Sequence, residues 1–163
     1  MPVKGLISRL RTAILLSVLC AVARTCLSCR TVPPPPPIDL SAPGWRIQRG
    51  QAVWEAVSGR PEIAGDLLLA TRTNGEFYIQ FTKAPFTLVD GSFADGHWHI
   101  EYTVGQYSWS GRGTPPARFA WFELPRVLDG EEPRRGWRFT RTNDLWRLER
   151  RLGGEWLEGR FFQ

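Results

Sequence analysis

Residues 62–102 read EIAGDLLLATRTNGEFYIQFTKAPFTLVDGSFADGHWHIEY, and the period of this stretch decides the fold. Phe77, Ile79 and Phe81 alternate with Tyr78, Gln80 and Thr82. Trp98, Ile100 and Tyr102 alternate with His97, His99 and Glu101. Side chains two residues apart point to one side of an extended chain, so each apolar triplet is one face of a strand. Ile63, Leu67, Leu69 and Thr71 share a face in the same way. Asn74-Gly75 predicts a two-residue hairpin turn. Lys83-Ala84-Pro85 interrupts the next pair of strands, and Ala94-Asp95-Gly96 turns the one after.

The same period extends to both sides. Residues 45–57 predict a strand with Ala52, Trp54 and Ala56 on one face, and residues 106–110 pair Tyr107 with Trp109. Residues 136–141, 145–151 and 155–162 predict three closing strands, the last two joined through Gly153-Gly154. One helix interrupts the series. Thr114 is a favoured N-cap and Pro115-Pro116 suit a first turn, so a helix is expected to about Glu123, ahead of Pro125, with a short turn at 126–129. Eight or nine antiparallel strands with one late helix make a mainly β fold: a curved sheet or unclosed half-barrel with the helix as lid.

The charge is confined to the N-terminus. The 163 residues carry a formal net charge of +5, all of it within residues 1–30 (Lys4, Arg9, Arg11, Arg24 and Arg30, no carboxylate). Residues 31–163 balance to zero, which argues against nucleic acid as a partner despite basic-aromatic pairs such as Trp137-Arg138. Residues 1–11 form a basic segment and residues 12–23 (TAILLSVLCAVA) an apolar run. That run is shorter than the ~20 residues a membrane-spanning helix needs, and it fits an export signal. Two processing sites are open. Ala21-Val22-Ala23 suits ordinary cleavage, and Cys26-Leu27-Ser28-Cys29 resembles a degenerate lipobox ending in a lipidated Cys29. The expected organisation is a signal peptide at 1–28, a lipidated Cys29 with a proline-rich linker at 29–43, and one β-rich domain at 44–163. The five prolines at 33–37 suit a stiff polyproline II tether. All 3 Cys precede residue 30, so the domain holds no disulfide.

Motifs of catalysis are missing: there is no phosphate loop and no nucleophile elbow. The domain is expected to be non-enzymatic, to need no cofactor and to act as a monomer. His97, His99 and Glu101 lie on one side of a strand. They are either a weak metal site, since two imidazoles and a carboxylate suit Zn²⁺, or a polar outer face. The 8 Trp, 9 Phe and 3 Tyr all fall after residue 44. They make either a Trp-rich core or the wall of a concave apolar cavity.

The order of strand, Pro-centred break, strand, Gly turn and aromatic strand in residues 76–102, followed by a late helix and closing strands, resembles the LolA/LolB superfamily of bacterial lipoprotein-localisation factors. The resemblance implies an unclosed antiparallel barrel with a helical lid over an apolar cavity that takes lipoprotein acyl chains in the periplasm. It implies a wall from Phe77, Ile79, Phe81, Trp98, Ile100, Tyr102 and Trp109, with Phe119 and Trp121 from the lid. The LolB-like member is an outer-membrane lipoprotein, which suits Cys29, and Arg30 in place of Asp suits sorting to the outer membrane. An exposed apolar loop residue of that member aids insertion into lipid, and Phe86 stands at the matching position. The expected function is lipid or lipoprotein binding at the outer membrane facing the periplasm, or in the periplasm if Cys29 is not lipidated. The alternative is a structural envelope lipoprotein that contacts another protein.

Overall fold

Nine strands in the computed structural model follow the period-two segments: β1 (Arg46–Glu55), β2 (Ile63–Thr71), β3 (Phe77–Lys83), β4 (Phe86–Ala94), β5 (His97–Tyr102), β6 (Tyr107–Arg112), β7 (Trp137–Thr142), β8 (Leu145–Arg150) and β9 (Trp156–Phe161). Among the described residues one helix, α1 (Ala120–Leu128), lies between β6 and β7. The structure describes residues 38–162. The leader, Cys29 and the proline run at 33–37 lie outside the described residues.

All nine strands join one antiparallel sheet in the order β6-β5-β4-β3-β2-β1-β9-β8-β7. Six strands form a meander. The chain then crosses from one free edge to the other and lays three more strands back, β9 pairing with β1. The unclosed antiparallel sheet expected from the sequence is therefore what the chain builds. Ala52, Trp54, Leu67, Leu69, Phe77, Ile79, Phe81, Ile100, Trp146, Leu148 and Leu157 are buried on its inner face, where α1 packs against them.

Turn chemistry sets each register. Asp95 and Gly96 both have positive φ (52° and 70°), so two residues suffice between Ala94 and His97. At Asn74-Gly75 the expected two-residue turn is replaced by a three-residue one. Arg72 and Glu76 still pair (N–O 2.9 Å), and the Gly75 N–H donates to the Arg72 carbonyl at 3.1 Å. The Asn74 side chain accepts from the Glu76 N–H, which favours this longer loop with Gly75 left-handed. Strand β1 ends at Glu55, so Ala56 lies beyond it, exposed, and does not share the face of Ala52 and Trp54.

The helix departs most from expectation. It begins at Ala120, not after Thr114. Its N-cap is Phe119, with extended φ −99°, ψ 118° and no side-chain cap, and Pro125 lies inside it. Burial explains the shift. Starting at Ala120 places Trp121, Phe122 and Leu124 wholly inside the core, and each large side chain gains ~1.5–3 kcal/mol there. That gain offsets the hydrogen bond that Pro125 cannot make. Pro115 is buried ahead of the helix, its carbonyl accepting from Arg134 Nη1 at 2.7 Å. The helix stops at Gly130, which is left-handed at φ 94°. Among the described residues no helix is long and apolar enough to cross a membrane.

Candidate functional site

The aromatic residues converge where α1 meets the sheet. Trp121 lies 5.1 Å from Phe81 and 5.5 Å from Trp54, ring centre to ring centre. Phe122 touches Phe77 at 5.7 Å and Trp98 at 5.9 Å. Phe119 touches Tyr102 at 6.3 Å and Trp109 at 5.5 Å. Trp109 in turn stacks on Tyr107 at 5.7 Å. These separations suit paired rings in van der Waals contact. They form a continuous chain from the exposed edge strand β6, through Tyr102 and Phe119, to Trp54, Phe81 and Trp121 inside.

All nine residues expected to line a cavity are thus gathered on one face or under the helix. Phe77, Ile79, Phe81, Ile100, Phe119 and Trp121 are buried, and Trp98 and Tyr102 are partly buried. Trp109, 36% exposed, is the one that solvent reaches most. The space between sheet and helix is filled by these side chains. Sequence reasoning left Trp54 and Phe122 out of the wall, although both are central. The alternation of β1 marks Trp54 as inward-facing, and the three-residue spacing from Phe119 places Phe122 on the same face of the helix, 5.6 Å from it ring centre to ring centre.

A carboxylate fastens the helix. Glu123 is completely buried, and it accepts from the Arg134 backbone N–H at 2.6 Å, from Arg134 Nε, and from Arg126 Nη1 at 3.4 Å. Arg126 reaches onward to Glu131. The Trp137 indole N–H donates to the Ala117 carbonyl at 2.6 Å. The crossing between β6 and β7 is therefore held at both ends of α1 by polar contacts that keep the buried charge paired.

A second carboxylate lies at the end of the core. Glu155, in the β8–β9 turn, accepts from the Trp54 indole N–H at 3.4 Å. Burial pushes its carboxyl up to about 7, against the pull of that hydrogen bond and of Arg150. Burial, and then the charge of Glu155, push the Tyr102 hydroxyl upward, with Arg118 opposing. An acid held above its ordinary value of 4.5 favours the folded state while protonated. Its contribution is complete below that value and is lost as pH rises through about 7. Glu155 is partly exposed, so we expect a decline of roughly 1–2 kcal/mol between pH 5 and 8. Urea midpoints at the two values check this. The decline disappears in Glu155→Gln, and its persistence there would assign it to another group.

His97, His99 and Glu101 do share the outer face of β5, but they do not converge. His97 Nδ1 contacts the Asp95 carbonyl at 2.9 Å, and His99 Nε2 stands 4.0 Å from Glu101. Among the described residues no group of three His, Cys, Asp or Glu is arranged to hold a metal ion. Beside them Tyr78 donates to Asp90 at 2.5 Å, and Gln80 donates to the Tyr78 hydroxyl at 3.1 Å. Burial holds Asp90 above the usual carboxylate range, opposed by the Tyr78 hydrogen bond.

The alternation gave no warning of two shallow grooves on the outer face. One, of about 460 Å³, runs between Val53, Ala64, Asp66, Leu145, Glu158 and Arg160. Its neighbour, of about 330 Å³, shares Asp66 and includes Arg49, Leu68 and Phe162. Gly65 and Gly159 border the larger groove in mid-strand, and a side chain at either would strike the neighbouring strand's backbone and the Phe81 or Trp146 ring on the inner face. No residue expected to line the cavity borders either groove. Phe86 begins β4 and is exposed. No family model matches the chain, and no curated protein matches it.

Proposed function

We propose that this chain is a non-enzymatic binder of acyl chains in a bacterial envelope, anchored through Cys29, in which α1 is the lid over an aromatic floor. The observation that carries the reading is the ring chain from Tyr107 and Trp109 at the free edge to Trp54 and Trp121 beneath the helix. An open edge gives an acyl chain a route that a closed barrel would block. The floor is apolar, and burying a chain there supplies ~25 cal/mol per Å² removed from water. In the structure the helix side chains fill that space, so binding requires α1 to yield. Lipoprotein acyl chains are the proposed cargo, carried on an outer-membrane protein facing the periplasm.

A fluorescent fatty-acyl probe tests this directly. Saturable binding is expected, competed by lipid extracted with the purified protein. Trp109→Ser, at the entrance, is expected to slow probe uptake several-fold and to cost about 1–3 kcal/mol of stability through its lost ring contacts. Absence of both co-purified lipid and probe binding overturns the reading. The filled core supports one second reading, a structural envelope lipoprotein that contacts another protein. That reading predicts no probe uptake and a lid that stays shut.

A further inference from the structure

The two free edges of the sheet differ. Strand β7, at one, carries exposed Arg138 and Arg141, and charges of that kind keep further strands from adding. Strand β6, at the other, reads YSWSGR. It has no proline and no bulge, and Arg112, its one charge, stands at its last position. The Gly113 N–H donates to the Gly96 carbonyl at 2.8 Å. Antiparallel alternation then turns the backbone groups of Tyr107, Trp109 and Gly111 toward β5, and those of Ser108, Ser110 and Arg112 outward. Such a row of unpaired N–H and C=O groups is a template for one more strand.

The row is complementary to itself. Two copies of β6 running antiparallel about a two-fold axis at Ser110 pair all three outward residues, Ser110 with Ser110 and Ser108 with Arg112. No other register does so. On the inner face this sets each Trp109 opposite Gly111 of the copy. The Trp98 ring lies over Gly111, where a side chain would strike it, so the arriving indole meets an aromatic surface. On the outer face Arg112 of the copy lands beside Ser108, whose neighbour on β5 is Glu101. Two strand spacings, roughly 10 Å, then separate the Arg112 and Glu101 backbones, within reach of these two side chains across the small serine. Glu101 is half exposed, with His99 at 4.0 Å. Among the described residues Arg112 has no ion-pair partner.

We propose that this chain forms a two-fold dimer through β6, joining two sheets into one, with Arg112 of each copy paired to Glu101 of the other. An unrelated extended peptide would take the same hydrogen bonds but would supply neither the tryptophan nor the arginine at the places that receive them. The contact is isologous, so it closes at two copies and leaves the β7 edges free. This departs from the monomer expected from the sequence. Pairing covers Trp109, the entrance proposed above, so cargo enters the monomer. The dimer itself does not rest on that reading, and its test contains no lipid.

Sedimentation equilibrium of the full chain tests it, with Cys29→Ser so that no acyl anchor contributes and a reductant to keep the other cysteines apart. The seam is small, and a dimer that dissociates at about 1–100 μM is expected. Arg112→Glu and Glu101→Arg each bring like charges together twice per dimer, and each is expected to weaken it ~10-fold or more. The double variant restores the pair with signs exchanged and is expected to return to within ~3-fold of the parent. Ser110→Pro deletes the outward N–H at the axis and is expected to give a monomer with unchanged strand content by circular dichroism. If that variant does not fold, the charge exchange decides alone. Arg138→Glu, on β7, is expected to change nothing. A parent that stays monomeric across that range overturns the proposal, as do oligomers that keep growing with concentration. So do a dimer that survives the single charge reversals, a double variant that fails to regain the parent's affinity, and a dimer that Arg138→Glu disrupts.

Discussion

Replacing Arg134 by methionine is expected to lower the free energy of unfolding by about 3 kcal/mol, more than the loss expected from Glu123→Gln. The two partners are not equivalent. Glu123 has no exposed surface, whereas the Arg134 and Arg126 side chains are 21% and 27% exposed. Removing the Arg134 side chain leaves a wholly buried carboxylate with Arg126 and one backbone N–H, and an undercompensated buried charge costs ~3–5 kcal/mol. Removing the carboxylate's charge leaves two guanidinium groups that can turn toward water. The glutamine oxygen still accepts from the Arg134 N–H, so that variant should cost only about 1–2 kcal/mol. Urea denaturation of both variants checks the order, and a larger loss for Glu123→Gln would show that the arginines are the desolvated partners. The same bonds fix the crossing between β6 and β7, so Arg134→Met is also expected to expose residues 113–136 to limited proteolysis.

Strand existence was readable because period two leaves little choice once Phe77, Ile79 and Phe81 must face one way. Shifting β3 by one residue would expose all three and bury Tyr78, Gln80 and Thr82. Turn detail was less readable. Asp95-Gly96 behaves as its residues suggest, whereas Asn74 uses its side chain on the Glu76 N–H and lengthens the loop by one. The helix start was misread because Thr114 and the two prolines carry local signals that tertiary packing overrides. What decides the start is the demand of Trp121 and Phe122 for the core, which no capping motif expresses. The role of Glu123 was hidden for a related reason, since Arg134 lies eleven residues away across a loop. The mid-strand glycines Gly65 of β2 and Gly159 of β9 carry no period-two signal of their own. They stand where a neighbouring strand comes too close for a side chain, together with the Phe81 ring at Gly65 and the Trp146 ring at Gly159.

Trp121→Ala is expected to cost ~3–5 kcal/mol, in the range for deleting a fully buried large side chain. Trp121→Phe is expected to stay within about 1.5 kcal/mol of the parent. Among the described residues the Trp121 indole N–H is buried without a hydrogen-bond partner, and such a donor costs ~1–3 kcal/mol. Phenylalanine discards that donor and keeps a ring against Phe81 and Trp54, so the relief offsets much of the lost volume. Thermal and urea unfolding of the pair separate the packing of the ring from the polarity of its N–H. The alanine variant also bears on cargo. If the helix and a ligand compete for one apolar floor, removing the largest lid side chain makes room there, and apolar hollows take up apolar molecules. Trp121→Ala is then expected to bind the acyl probe several-fold more tightly than the parent although it is less stable. A variant that is destabilised and binds no better would place the probe elsewhere, and would favour a sheet whose aromatic face serves only to hold the fold together.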